Sequence, residues 1–157
     1  RLDVLVHAAA VGRHVALDAA SPDEWRRQLE ANVIAPAELT RLCLPLLRAS
    51  RGTVIFIGSG ASTRPVRGSI VYPATKHALK ALADGLRLDE SAQGVRVSTV
   101  APGQTDTPML RSGWSGPYAP ERFIRPESVA RTVRFVVDAG PDVHLTDVAV
   151  RPRVELA

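Results

Sequence analysis

Thr53-Val54-Ile55-Phe56-Ile57-Gly58-Ser59-Gly60-Ala61-Ser62 is followed, thirteen residues beyond Ser59, by Tyr72-Pro73-Ala74-Thr75-Lys76, and these two runs decide how the chain reads. The first predicts a strand over 53–58, compact and rich in Val and Ile, as a strand buried on both faces should be. The second opens a helix predicted over 72–93, with Ala78, Leu79, Leu82 and Leu86 on one side and Gly94 placed to end it. Strand followed by helix is half of a βαβ unit, and the same alternation continues in both directions. Further strands are expected over 2–10, 95–101 and 145–150, with helices over 21–50 and 126–139. The fold class is therefore α/β, a doubly wound parallel sheet covered on both faces.

The helix over 21–50 announces itself through Ser21-Pro22-Asp23-Glu24: Ser21 can cap, Pro22 suits a first turn, and Glu24 stands where a capping box needs it. Trp25, Leu29 and Val33, then Leu39, Leu42 and Leu46, recur at helical spacing, so one apolar face is expected to be buried. Pro36 interrupts the helix and deprives the Asn32 carbonyl of its usual partner. Residues 102–125, rich in Gly, Pro, Ser and Thr and carrying Trp114 and Tyr118, read as a long loop of the kind that covers a site. The two aromatics either line a pocket or anchor that loop.

The 157 residues, 45% of them hydrophobic and 4% aromatic, form one domain over 1–157. The chain opens on Arg1 and enters a strand at once, which sets the expectation of a piece truncated at its N-terminal side. A net charge of +4 and a pI near 10 raise nucleic acid as a partner. Only Lys76 and Lys80 are lysine, and the arginines are scattered among acids, so a solvated basic surface is the preferred reading and no nucleic acid is expected. Cys43 stands alone, and His7, His14, His77 and His144 share no ligand spacing; no metal is expected. No apolar run reaches the ~20 residues of a membrane span and no export signal precedes the first strand, so the expected place is the cytoplasm, away from the membrane.

Tyr72 and Lys76 lie four apart at the start of a helix and can share one face. A phenol titrates near ~10, and a neighbouring ammonium favours the phenolate, so the pair suits general acid/base work. Pro73 biases Tyr72 away from helical angles, towards the helix entrance. Ser59 stands just beyond a buried strand, where α/β sheets place their ligands. Gly58-Ser59-Gly60 is not a nucleophile elbow, since Ile57 occupies the position that would need glycine.

Taken together, these residues resemble the classical short-chain dehydrogenases/reductases, over essentially the whole chain. The resemblance rests on a strand ending near the family's Asn-Asn-Ala-Gly motif, Asn32 in a broken helix, Ser59 after the next strand, Tyr72-x-x-x-Lys76, and Pro102-Gly103 after the strand that follows. It implies a Rossmann-like fold and hydride transfer between NAD or NADP and a small carbonyl or alcohol. Tyr72 would be the acid/base. Lys76 would bond the nicotinamide ribose and lower the Tyr72 pKa, and Ser59 would bond the substrate oxygen. Asn32 would hold a water that links Lys76 to solvent, helped by the carbonyl that Pro36 frees. Ala8, Ala9 and Ala10, with Pro102, Gly103, Thr105 and Thr107, would lie along the cofactor. The two long helices resemble those through which family members form homodimers or homotetramers.

Departures from the pattern temper these implications. His7-Ala8-Ala9-Ala10 stands for Asn-Asn-Ala-Gly, and Gln104-Thr105 replaces a more usual pairing with an apolar residue. The N-terminal strands and the Gly-rich loop that cradles the pyrophosphate in this family are absent, so weak dinucleotide binding by this chain alone and an open apolar edge at 2–10 are expected. The competing reading is a catalytically silent remnant or interaction module. Ser62 is expected to be structural.

Overall fold

The computed structural model describes residues 1–154. Four strands form one parallel sheet in the order β1-β2-β3-β4, with β1 at Val4–His7, β2 at Thr53–Ile57, β3 at Arg96–Pro102 and β4 at Asp147–Val150. The helices between them are α1 (Pro22–Leu29), α2 (Ala35–Ser50), α3 (Val71–Glu90), the short α4 (Pro108–Gly113) and α5 (Pro126–Val137). The α/β parallel sheet read from the alternation is what forms.

Both faces of the sheet are covered, which is why β2 and β3 carry near-continuous apolar runs. On one face Val54, Phe56 and Val97 pack with Leu47 of α2 and with Leu79 and Ala83 of α3. Ile55 and Val100 turn to the other face, where Val129, Val133 and Val136 of α5 meet them. α5 reaches β2, β3 and β4 on that face, and Val6 of β1 stays 40% exposed. β1 is an edge strand, as expected, though shorter than the nine residues predicted. Residues 8–10 leave the ladder because the chain's next anchor is off the sheet: the Asn32 carboxamide takes both the N–H and the carbonyl of Val11.

The run over 21–50, expected as a helix interrupted at Pro36, is three segments. Ser21 caps α1 by accepting from the Glu24 N–H at 3.2 Å, but the box does not close, since the Glu24 carboxylate bonds Arg27 and Gln28. Between α1 and α2 lies a π-turn at Glu30–Ile34, in which the Ala35 N–H reaches back to the Glu30 carbonyl. Pro36 has no N–H to return to Asn32, and the helix widens upstream of it to absorb the mismatch.

A second correction concerns which face is buried. Glu24, Gln28, Asn32, Pro36 and Thr40, spaced four apart, form the inward stripe, while Leu39, Leu42 and Leu46 are 47%, 59% and 48% exposed. The inward groups face the loop after β1, whose main chain needs hydrogen-bond partners more than it needs apolar cover. The Gln28 carboxamide reaches the Arg13 carbonyl and the Thr40 hydroxyl donates to the Pro36 carbonyl. His7 stacks on Phe56 and its Nε2 meets the Thr40 oxygen at 2.7 Å. The Thr40 proton is already committed to Pro36, so His7 is the donor, and burial lowers its pKa.

α3 begins at Val71, so Tyr72 sits within its first turn, and Pro73 falls where no helical N–H is required. The helix gives way to a short 3-10 turn at Ser91–Gln93, and Gly94 ends it with φ +77°. The 102–125 segment is not a bare loop: Thr107 caps α4, and Thr105 pairs in a bridge with Ile124.

Candidate active site

At the C-terminal ends of β1, β2 and β3 the chain gathers Ser59, Tyr72 and Lys76. Lys76 is 3% exposed, and its Nζ donates to the Ile57 carbonyl at 2.9 Å while standing 5.7 Å from the centre of the Tyr72 ring. Burial brings its pKa down to about 8. An ammonium has three protons to donate, and one contact accounts for one of them. The Ser59 hydroxyl accepts from the Ala61 N–H at 3.1 Å and lies close enough to the Tyr72 phenol to favour its ionised form.

The sequence-based expectation that Lys76 draws the Tyr72 pKa below its ordinary value is not met. Burial of the phenol pushes it upward, Ser59 acts as the counterweight, and the amine stands over the ring and bonded to Ile57. Asn32, 1% exposed, is brought to the same place with a different assignment of its atoms. Its side chain bonds the Val11 N–H and carbonyl at 2.8 Å each and donates to the Thr75 hydroxyl at 3.0 Å. That commits both carboxamide protons and one of the two acceptor positions of its oxygen. The main-chain carbonyl that Pro36 leaves without its usual donor is the group on which the expected water was to rest.

Thr75 escaped the sequence reading. It is fully buried, receives Asn32 and donates to the Tyr72 carbonyl at 2.8 Å, so it ties the π-turn to the first turn of α3. A polar residue three after Tyr72 and four before Leu79, hence on their helical face, was the available signal. Gly12 was also missed, and no local signal marks it. A Cβ there would stand 3.1 Å from the Tyr72 ring and 3.2 Å from the Met109 sulfur, so the loop after β1, the phenol and α4 close on one another.

Trp114 and Tyr118 are loop anchors. Both pack on Phe123, the Tyr118 hydroxyl donates to Asp106 at 2.6 Å, and the Trp114 indole donates to the Pro117 carbonyl. Ser62 is structural as expected: its hydroxyl accepts from the Ser59 N–H. Of the expected cofactor positions, Ala8 and Ala9 are exposed just past β1, and Ala10 is half-buried. Pro102 ends β3, the Gly103 N–H donates to the Val150 carbonyl, and the hydroxyls of Thr105 and Thr107 are turned to the carbonyls of Gly103 and Thr105.

These residues suit the nicotinamide end of a dinucleotide: a buried ammonium with donors to spare, beside exposed main chain at the mouth of the sheet. No Gly-rich turn for a pyrophosphate occurs at the strand ends among the described residues.

Comparison with known proteins agrees with this geometry. A solved metagenomic short-chain oxidoreductase in complex with NADP superposes with a TM-score of 0.80 at 30% identity, over 99% of this chain and 63% of the other. The 2,3-dihydro-2,3-dihydroxybenzoate dehydrogenase of Escherichia coli is 32% identical over 96% of this chain and 68% of its own length. L-fucose dehydrogenase of Bos taurus is 37% identical over 83% of this chain, which spans 49% of that protein. The chain thus spans about half to two thirds of the length of these three proteins. Residues 1–116 match the model of the short chain dehydrogenase family, and with the parallel sheet and the gathered Ser59, Tyr72 and Lys76, the chain belongs to that family.

Proposed function

We propose that this chain forms the catalytic end of an NAD(P)-dependent oxidoreductase that interconverts a small ketone or aldehyde and the corresponding alcohol. The observation that carries the reading is the buried Lys76 ammonium, with donors to spare, beside a phenol whose neighbour is the Ser59 hydroxyl. NAD or NADP, when bound, supplies the hydride to the carbonyl carbon or accepts it from the alcohol. Ala8, Ala9, Ala10, Lys76, Pro102, Gly103, Thr105 and Thr107 would hold its nicotinamide end, with Tyr72 alongside.

In the reducing direction the phenol of Tyr72 gives its proton to the substrate oxygen, and the Ser59 hydroxyl stabilises the charge that develops there. Burial keeps the phenol protonated at neutral pH, which suits a donor. Lys76, with a pKa near 8, can pass a proton back towards Tyr72. The Asn32 carbonyl is the acceptor that would hold a water for resupply. The Asn32 carboxamide and Thr75 act as positioning groups that fix the first turn of α3.

The outward apolar stripe of α2 supports a homodimer or homotetramer as the working form. No described helix is long and apolar enough to cross a membrane, and we place the protein in the cytoplasm. A catalytically silent module is favoured by one feature, the Ala8-Ala9-Ala10 run where the family carries a glycine.

Turnover of a carbonyl panel by the full-length protein and its Tyr72→Phe variant tests the proposal. Loss of about 10²–10⁴-fold in kcat is expected, with NAD(P)H binding, read by nicotinamide fluorescence, unchanged. Undiminished turnover in the variant rejects Tyr72 as the acid/base.

A further inference from the structure

Arg151 follows β4 directly, and its side chain turns back over the ends of β3 and β4. Nη1 donates to the Ala101 carbonyl at 3.1 Å and to the Val150 carbonyl at 3.4 Å. The guanidinium then lies flat over Gly60, the residue after Ser59. A Cβ on Gly60 would stand 3.4 Å from Nη1, 3.6 Å from Cζ and 3.7 Å from Nη2, a nearly even spacing that describes a face-on contact. Gly103 flanks the side chain on the other side, with a Cβ position 3.7 Å from the Arg151 Cδ. The side chain thus touches both the Ser59 loop, through its guanidinium, and the Pro102-Gly103 turn, through its Cδ, the two segments that border the reacting groups.

Most paired arginines of this chain meet a carboxylate, as in Arg41 with Glu38, Arg48 with Glu90 and Arg111 with Asp106. Arg151 is pinned by main-chain carbonyls instead, and among the described residues no carboxylate lies within ion-pair distance of it. Nη1 alone makes the two main-chain bonds, so the edge formed by Nε and Nη2 keeps its two parallel donors. That edge matches the two oxygens of a carboxylate in a bidentate pair.

We propose that Arg151 binds a carboxylate carried by the substrate close to its reacting carbonyl, so that the protein interconverts a short oxo acid and its hydroxy acid. The proposal rests on the oxidoreductase reading and specifies its substrate class. The carbonyl oxygen faces Ser59 and Tyr72, and the carboxylate one or two carbons away faces the cation over Gly60. Neither this residue nor its role could be read from the sequence, because Arg151 and Gly60 are ninety-one positions apart.

The test compares benzoylformate with its neutral methyl ester in the full-length protein, as wild type, Arg151→Gln and Arg151→Lys. Arg151→Gln is expected to lower kcat/KM for the acid by about 30- to 100-fold, mostly through KM, while changing the ester by less than about threefold. Arg151→Lys, with a point charge and no fork, should recover part of the loss. An equal fall for acid and ester, or no fall for the acid, overturns the proposal and leaves Arg151 as a brace for the strand ends. Calorimetric titration with benzoate separates this outcome from failure of the parent reading. Benzoate binding that Arg151→Gln abolishes and Tyr72→Phe retains supports the carboxylate site even if neither ketone is turned over. Absence of benzoate binding in wild type, or binding indifferent to Arg151→Gln, rejects it.

Discussion

The run from Ser21 to Ser50 and the helix from Val71 to Glu90 flank the same side of the sheet, yet they use opposite chemistry to do so. α3 follows the familiar rule along its length: Leu79 and Ala83 go to the core. Its first turns and its last residue turn polar groups inward: Thr75 and Lys76 serve the site, and Glu90 pairs with Arg48. The 21–50 run buries Glu24, Gln28, Asn32 and Thr40 and leaves Leu39, Leu42 and Leu46 outside. The difference teaches that helical periodicity identifies a helix without saying which of its faces is inside. The answer depends on what the helix is laid against. α3 lies on β-branched side chains, whereas the earlier run also lies on the loop after β1, whose exposed peptide groups would be costly to bury unpaired.

Replacing the central inward polar residue gives the sharpest break. Asn32→Leu keeps the volume but strands the Val11 N–H and carbonyl and removes a partner of Thr75, and is expected to cost about 3 kcal/mol in urea unfolding. If the loss is under about 1 kcal/mol, the polar stripe is not what holds the loop after β1.

Lys76 offers the opposite sign. Its folded pKa of about 8 lies below the ordinary 10.5, so between those values the unfolded chain binds more protons and stability rises with pH. At neutral pH the buried charge therefore costs stability. Lys76→Met should raise the urea-derived unfolding free energy at pH 7 by about 2 kcal/mol, after allowance for the lost bond to Ile57, and the gain should shrink as pH climbs from 8 towards 10.5. A gain that is independent of pH would mean that the amine titrates alike in the folded and unfolded chain, so that burial does not lower its pKa.

The outward stripe should respond least. Leu42→Lys is expected to change monomer stability by less than about 0.5 kcal/mol while reducing self-association in sedimentation velocity. A large loss of monomer stability would show that Leu42 packs within its own chain and would erase the contrast between the two runs.

Much of the frame was legible in the residues. β2 and β3 fall within a residue of their predicted limits, and α3 with its closing 3-10 turn fills the predicted helix, because β-branched runs, Gly94 and the spacing of apolar residues act locally. The meeting of Ser59, Tyr72 and Lys76 was also legible, since it requires only one strand, one turn and one helix. Other features were hidden. The π-turn arises from a conflict between Pro36 and a helix that would otherwise continue, and periodicity averages over it. The direction of the Tyr72 shift depends on how deeply the phenol is buried, which neighbouring residues in the chain do not reveal.

From its sequence alone this protein was committed to alternating strands and helices, and to a hydroxyl, a phenol and an amine arranged around one strand end, because those outcomes follow from interactions between residues close in the chain. Tertiary structure decided which side of the 21–50 run is inside, that Asn32 is spent on Val11 and Thr75, that Gly12 and Met109 close on the phenol, and that Arg151 lies over Gly60. Each of these joins segments distant in sequence, and their geometry is set by how the layers pack against the sheet, for which no local pattern carries the information.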